Sequence, residues 1–475
     1  MIVAASLAAI LAASIAALPG PGETPIEFSA ESGETVAAYR GVLEVSEHRA
    51  DPASRMITLS YVRFPATTDT PGDPIVYLSG GPGGSGSGTA TGRRFPLFMA
   101  MRQHGDVIAF DQRGTGASTA LPLCETEIYL PDDRRVPPEE LASAYRTAAL
   151  ECRTFWEGEG VAIEGYTTLE SVADLSDLRR HLGAQQIDLW GISYGTHLAL
   201  AAMKTIPDEL DQVILASVEG LDQTVKLPAR ADAFFDRLGA AVASQPEAAA
   251  RYGDMVTLMR RVQARLEVDP VMVTVEGPDG EPLEFAFTKD HLQSMSGAAS
   301  DPRNAVWLLQ LYASIDAGET ELAQTYAQRF FGPGLPITMR AMSTAMDMAS
   351  GISPGRMAQF EAQAESSLVG PYLNFPMPQL ANVWPDIDLG EAFREEAHYD
   401  GPVLMLTGTL DGRTYPEGQR GATAGLSDLT AVTVINAGHN LFMTSPDVGE
   451  AMHAFMRGEP VAREITAPLP DFAGE

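Results

Sequence analysis

Ile187-Asp188-Leu189-Trp190-Gly191-Ile192-Ser193-Tyr194-Gly195-Thr196 passes from a short apolar run into a serine flanked by glycines, then into a helix-forming run over residues 195–204. The apolar run predicts a buried strand, and Gly191-Ile192-Ser193-Tyr194-Gly195 fits the pattern G-x-S-x-G at its end. A serine nucleophile needs a sharp strand-to-helix turn, and flanking glycines permit the crowded backbone there. Such a turn lifts the hydroxyl to the head of a sheet, beside a helix N-terminus. The bare pattern is common; its place between a strand and a helix gives it weight.

The surrounding sequence repeats that alternation. Pro74-Ile75-Val76-Tyr77-Leu78 reads as a strand buried on both faces and ends in the loop Ser79-Gly80-Gly81-Pro82-Gly83-Gly84-Ser85-Gly86. A strand over 106–110 runs into Asp111-Gln112-Arg113-Gly114-Thr115-Gly116. Helical patterns cover 138–156 and 169–182, and 213–216 is a further strand. Two strands, 39–45 and 56–64, precede them. After Gly220 the alternation stops: residues 221–395 are mostly helical, with a hairpin expected at Pro278-Asp279-Gly280. It resumes with strands over 402–407 and 431–435 and a helix over 446–456. The expected fold is α/β, a mostly parallel doubly wound sheet. Its core would be 28–220 and 396–475, with 221–395 inserted as a helical cap.

The chain has 475 residues, with 63 Asp+Glu against 32 Lys+Arg and a formal net charge of −31. That field repels polyanions, so nucleic acid is not an expected partner. At 45% hydrophobic residues the chain is too apolar for an acidic disordered protein. Only Lys204, Lys226 and Lys289 are lysines.

A serine hydroxyl needs a base. Among eight histidines, His439 stands in Ala437-Gly438-His439-Asn440, directly after the last expected long strand, where a loop would reach the carboxyl edge of the sheet. His197, one helical turn beyond Ser193, reads as a packing residue. The base needs an acid to orient it. Asp411, in Gly408-Thr409-Leu410-Asp411-Gly412, follows the preceding strand. The chain order Ser193, Asp411, His439 is that of the α/β-hydrolase triad. Backbone N–H groups of Gly81 and Tyr194 are the expected oxyanion donors.

Together these motifs resemble the prolyl and tripeptidyl aminopeptidase branch of the α/β-hydrolases. The matching elements are Gly80-Gly81-Pro82-Gly83, Asp111-Gln112-Arg113-Gly114-Thr115-Gly116, Gly191 to Thr196, Thr409-Leu410-Asp411 and Gly438-His439. The resemblance implies a serine exopeptidase acting on free N-termini beneath a helical cap. The Ser-Tyr-Gly-Thr flank looks more like the secreted tripeptidyl group. Ser79 stands where prolyl aminopeptidases have histidine, and Gly412-Arg413-Thr414-Tyr415-Pro416 departs from the tripeptidyl pattern. Glu219, just beyond a core strand, is a candidate anchor for the substrate ammonium; the alternative is a carboxylate paired within the protein. Asp111 and Arg113 are expected to brace the glycine-rich loop through an ion pair.

Residues 1–18 carry no charge and precede Pro19-Gly20-Pro21-Gly22. They read as a signal peptide, with an uncleaved anchor as the rival. Export to periplasm or medium is therefore expected, with no membrane association after cleavage. Cys124 and Cys152 are then disulfide candidates, against two buried thiols. No metal motif is present, and no metal or organic cofactor is expected. The expected partner is a peptide or small ester. The leading expectation is an exported serine aminopeptidase; an esterase with the same triad is the alternative.

Overall fold

The computed structural model describes residues 19–299 and 301–474. The signal-peptide expectation on residues 1–18 lies outside them. The strands are β1 (Thr24–Ser29), β2 (Thr35–Ser46), β3 (Met56–Phe64), β4 (Ile75–Leu78), β5 (Val107–Asp111), β6 (Leu123–Tyr129), β7 (Ile187–Ser193), β8 (Leu210–Val218), β9 (Val271–Glu276), β10 (Pro282–Phe287), β11 (Pro336–Arg340), β12 (Tyr399–Gly408), β13 (Leu426–Ile435) and β14 (Glu464–Thr466). Ten of them form one sheet in the order β1-β2-β3-β5-β4-β7-β8-β12-β13-β14. The first three pairings, from β1 to β5, are antiparallel; those from β5 to β14 are parallel. The sheet is mostly parallel, as its unbroken apolar strands require.

Both faces of the central strands are covered. Along β4, Val76 and Leu78 join one core cluster with Trp156, Leu175 and Leu198, while Ile75 and Tyr77 join another with Phe98, Val448 and Met452. This period-two split is why the strand reads as continuously apolar. The short β6 and β14 and the edge strand β1 carry too few such residues to stand out in the sequence.

Between β8 and β12 the chain leaves the sheet. Helices Pro228–Ala243, Met255–Val268 and Pro302–Ala317 build their own core from Phe234, Leu238, Met259, Val262, Leu308 and Tyr312. Leu410 and Tyr415, on either side of Asp411, join that cluster. The segment also returns toward the sheet. Strand β11 pairs antiparallel with β6, and the helix Ala341–Ser350 sends Met342, Ala345, Met346 and Ala349 into the cluster beneath the sheet. That helix therefore lies against the elements that carry Ser193.

Cys124 on β6 and Cys152 on the helix Pro138–Gly158 are joined in a disulfide across 28 positions. Closing a loop of that length in the unfolded chain stabilises the fold by about 3–4 kcal/mol in the chain-entropy picture. The double variant Cys124→Ala, Cys152→Ala is expected to lose that much, read as a lower urea midpoint. An unchanged midpoint would remove the bridge from the account of stability.

Candidate active site

Ser193 ends β7 and caps the helix Tyr194–Thr205. Its φ of 56° and ψ of −129° lie outside the ordinary regions for a residue with a side chain. Backbone strain of this kind persists only where the surroundings enforce it, and here the packing does. A Cβ on Gly195 would sit 2.1 Å from the Leu78 carbonyl oxygen, and one on Gly191 would sit 2.7 Å from that of Gly195. Gly195 lets the turn nest against β4, and Gly191 lets it nest against the first turn of the helix.

The glycine-rich loop folds over the same serine. A Cβ on Gly80 would lie 2.9 Å from Ser193 Cβ and 3.5 Å from its Oγ. Gly81 has φ of 131°, which favours glycine. Its N–H makes no hydrogen bond among the described residues, while Gly84 N–H donates to Gly80 O at 3.0 Å. Tyr194 is the first residue of its helix, so its N–H has no intrahelical acceptor either. The two expected oxyanion donors are thus both uncommitted N–H groups next to Ser193.

The ion pair by which Asp111 and Arg113 were expected to brace the glycine-rich loop is absent among the described residues. Asp111 is fully buried and accepts from the Ser85 and Ser87 hydroxyls, both at 2.6 Å, and from Ser87 N–H at 3.0 Å. Gln112 Nε2 donates to Ser79 O at 3.2 Å. Neutral hydroxyls, not a guanidinium, tie this turn to the glycine-rich loop. Arg113 turns the other way, toward Asp174. The expectation that the two loops pack together holds, while the side chains that face each other differ from it.

Asp411 and His439 meet at the carboxyl ends of β12 and β13. His439 Nδ1 lies 3.2 Å from both carboxylate oxygens of Asp411. The carboxylate also accepts from Arg413 N–H and Thr414 N–H, each at 2.8 Å, and from the Thr414 hydroxyl at 2.9 Å. Burial pushes the Asp411 carboxyl up, but the opposing pull of His439 and these hydrogen bonds wins, and it sits below the ordinary carboxylate value. Ser217 Oγ donates to His439 O at 2.8 Å, fixing the loop from β8. With Nδ1 facing Asp411, Nε2 is the ring nitrogen left for a reacting proton. Ser193, His439, Gly80 and Gly81 line one cavity of about 410 Å³.

His197 is fully buried, with Nδ1 3.1 Å from Gly220 O and Nε2 3.0 Å from Ser350 Oγ, which makes it a packing residue. Glu219 is buried and bonded to Lys226 Nζ at 2.7 Å. The ammonium it holds is one of the protein's own. Desolvation lowers the Lys226 ammonium and raises Asp347, beside the same pair, to about 7, with the Glu219 charge adding to the rise. Asp347 sits on the helix Ala341–Ser350, whose Ser343 lies 3.8 Å from where a Cβ on Gly83 would be. One helix therefore runs from the glycine-rich loop to the buried charges. Sequence reasoning missed Asp347 and Lys226, though each left a trace. Asp347 is the one acid in the apolar helix sequence AMSTAMDMAS, and Lys226 is a rare lysine. Among the described residues, no group of three or more His, Cys, Asp or Glu could hold a metal ion.

Residues 73–272 match the family described as alpha/beta hydrolase fold. The chain has the α/β-hydrolase fold. Three curated proteins are similar to part of this hydrolase-fold chain. Tripeptidyl aminopeptidase from Streptomyces coelicolor is 26% identical over 193 residues, covering 38% of this chain and 34% of that protein. Serine protease Hip1 from Mycobacterium tuberculosis is 31% identical over 186 residues, covering 38% and 35%. Proline iminopeptidase from Arabidopsis thaliana is 29% identical over 188 residues, covering 39% and 35%. The matched stretch spans about a third of the length of these relatives. No helix among the described residues is long and apolar enough to cross a membrane.

Proposed function

We propose that this protein is an exported serine aminopeptidase. Ser193 Oγ attacks the scissile carbonyl carbon and its proton passes to His439 Nε2. The oxygen of the tetrahedral adduct takes the N–H groups of Gly81 and Tyr194. The C–N bond then breaks as His439 returns the proton to the leaving amine. Water, deprotonated by His439, attacks the acyl-serine and releases the acid with Ser193 restored. Asp411 holds the ring and stabilises its cation. The observation that supports this reading is that Ser193, His439 and Gly81 line one cavity, with Asp411 behind His439 and Tyr194 N–H next to Ser193 in the chain. The names of the partial relatives support peptide over ester substrates. Export is supported by the apolar run of residues 1–18 and by the Cys124–Cys152 bridge, since disulfides persist in oxidising compartments.

A half-buried acid, Asp347, favours a free amine as the recognised group. Glu219 is engaged by Lys226, so Asp347, which lines a separate cavity with Met348 and Gly351, is the carboxylate we assign to a substrate ammonium. From Ser343 to Asp347 the helix rises about 6 Å, the reach of roughly two extended residues. Matched chromogenic peptides of one to three residues, with free or acetylated amines, test this. The free amines are expected to be preferred by about 10- to 100-fold in kcat/KM, as for a charge-assisted contact.

The sign of the pH effect follows from Asp347. Its acid form, held up to about 7, is neutral below that pH and attracts no ammonium. The substrate amine loses its own charge above about 8. KM for free-amine peptides is expected to fall as pH rises through 7, and Asp347→Asn should flatten that fall. Equal rates on free and blocked peptides would sink the aminopeptidase reading and leave an esterase.

A further inference from the structure

The cavity of about 410 Å³ that holds Ser193 and His439 has a third wall made of Gly88, Thr89, Gly92, Arg93 and Arg94. Two adjacent guanidinium groups beside the nucleophile are unexpected in a chain of net charge −31. Neither has a carboxylate partner among the described residues. Arg94 bonds the Tyr77 hydroxyl, donates to Asn440 Oδ1 at 2.9 Å and lies over the Phe442 ring at 5.3 Å. Its contacts are neutral, so its charge is fixed in place and not cancelled. Arg93 is exposed and reaches a second small cavity that also contains Asn440, Arg303 and the Asp301 carboxylate, which is bonded to Asn440 and makes no ion pair with Arg93 among the described residues.

The mechanism says which part of a substrate meets this wall. His439 hands its proton to the leaving amine, so the leaving group must lie against His439. Asn440 follows His439 in the chain and is the residue that Arg94 holds. Asn440 N–H and Nδ2 both donate to Asp301 Oδ2 at 3.2 Å, which sets the wall rigidly. A leaving peptide begins with the departing amine and, if short, ends in a carboxylate a few ångströms further on. Guanidinium groups bind carboxylates bidentately and stay charged at any physiological pH.

We propose that Arg93, backed by the charge of Arg94, forms a leaving-group subsite for the α-carboxylate of a short peptide. The enzyme then prefers short free peptides over the N-termini of folded proteins. This rests on the aminopeptidase reading above. Arg94 is a positioning residue for Asn440, so Arg93 is the residue to vary.

The test uses free-amine peptides with one constant acyl segment and leaving segments of one, two, three or eight residues. Each is made as the free acid and as the C-terminal amide. An amidated set with glutamate as the first leaving residue separates an acidic side chain from the α-carboxylate. The readout is the acid-to-amide ratio of kcat/KM within each enzyme, so a general loss of activity cancels. For leaving segments of one or two residues the wild-type ratio is expected to be about 10 or more, falling toward one at eight residues. Arg93→Ala should bring it to about one, Arg93→Glu below one, and Arg93→Lys should restore part of it. A wild-type ratio near one at every length, or a ratio kept by Arg93→Ala, overturns the subsite. So does a preference that follows the glutamate side chain alone. If esters are cleaved and no peptide is, the aminopeptidase reading has failed and the subsite falls with it; cleavage of amides and acids alike leaves that reading standing.

Discussion

Ser193→Ala is expected to lower kcat by roughly 10⁴- to 10⁶-fold on every substrate the protein turns over. KM should change little, because the cavity walls do not depend on the hydroxyl. The size follows from the site. Without Oγ there is no acyl-enzyme, and His439 has no serine proton to take. What remains is the pull of Gly81 and Tyr194 on a carbonyl attacked by water, a small residue of the rate. Covalent labelling by a fluorophosphonate should vanish in the same variant. Labelling that survives in Ser193→Ala would place the nucleophile elsewhere and undo the assignment. Folding is not at risk as an alternative cause, since the substitution removes one oxygen and leaves a Cβ at φ of 56° where one already stands.

What the sequence made legible follows from how locally each signal is encoded. The turn at Ser193 was readable because strand, turn and helix each bear on a few adjacent residues. Asp411 and His439 were readable because parallel strands deliver their following loops to one edge. The hairpin at Pro278-Asp279-Gly280 appears between β9 and β10 for the same local reason. The rest depends on contacts distant in the chain. Glu219 was placed at a strand end, but its partner Lys226 reaches it through a turn that no periodicity marks. The pairing of β6 with β11 joins segments more than two hundred positions apart, and neither strand has a strong apolar period. Asp111 was expected to meet a charge and meets two serines. In each case the missing information was which face a side chain presents, which spacing alone does not carry.

Asp174→Ala is expected to destabilise the protein by about 3–5 kcal/mol, as much as loss of the disulfide or more. Arg113 has no exposed surface and Asp174 is 1% exposed. They are joined by two parallel bonds of 2.7 Å, Nε to Oδ2 and Nη2 to Oδ1. Arg49 adds a bond of 2.6 Å to the same Oδ1. Removing the carboxylate leaves a guanidinium in a dry interior with one longer ion pair, to Glu170 at 3.5 Å, and the like charge of Arg49 nearby. A buried pair of this kind contributes little net stability, because desolvation offsets the attraction; breaking one side is what costs. The replacement Arg113→Met with Asp174→Leu should therefore recover much of what Asp174→Ala loses. Activity need not follow stability. Arg113 Nη1 also donates to Glu47 O at 2.7 Å and to Gly165 O, and it follows Asp111 and Gln112, which hold the glycine-rich loop over Ser193. The double replacement is expected to refold that region without the same anchor. Urea midpoints near wild type with a kcat lowered several-fold would show the arginine positioning Gly81 from a distance. Equal loss of stability in the single and double variants would contradict the argument that the unpaired charge is the source of the cost.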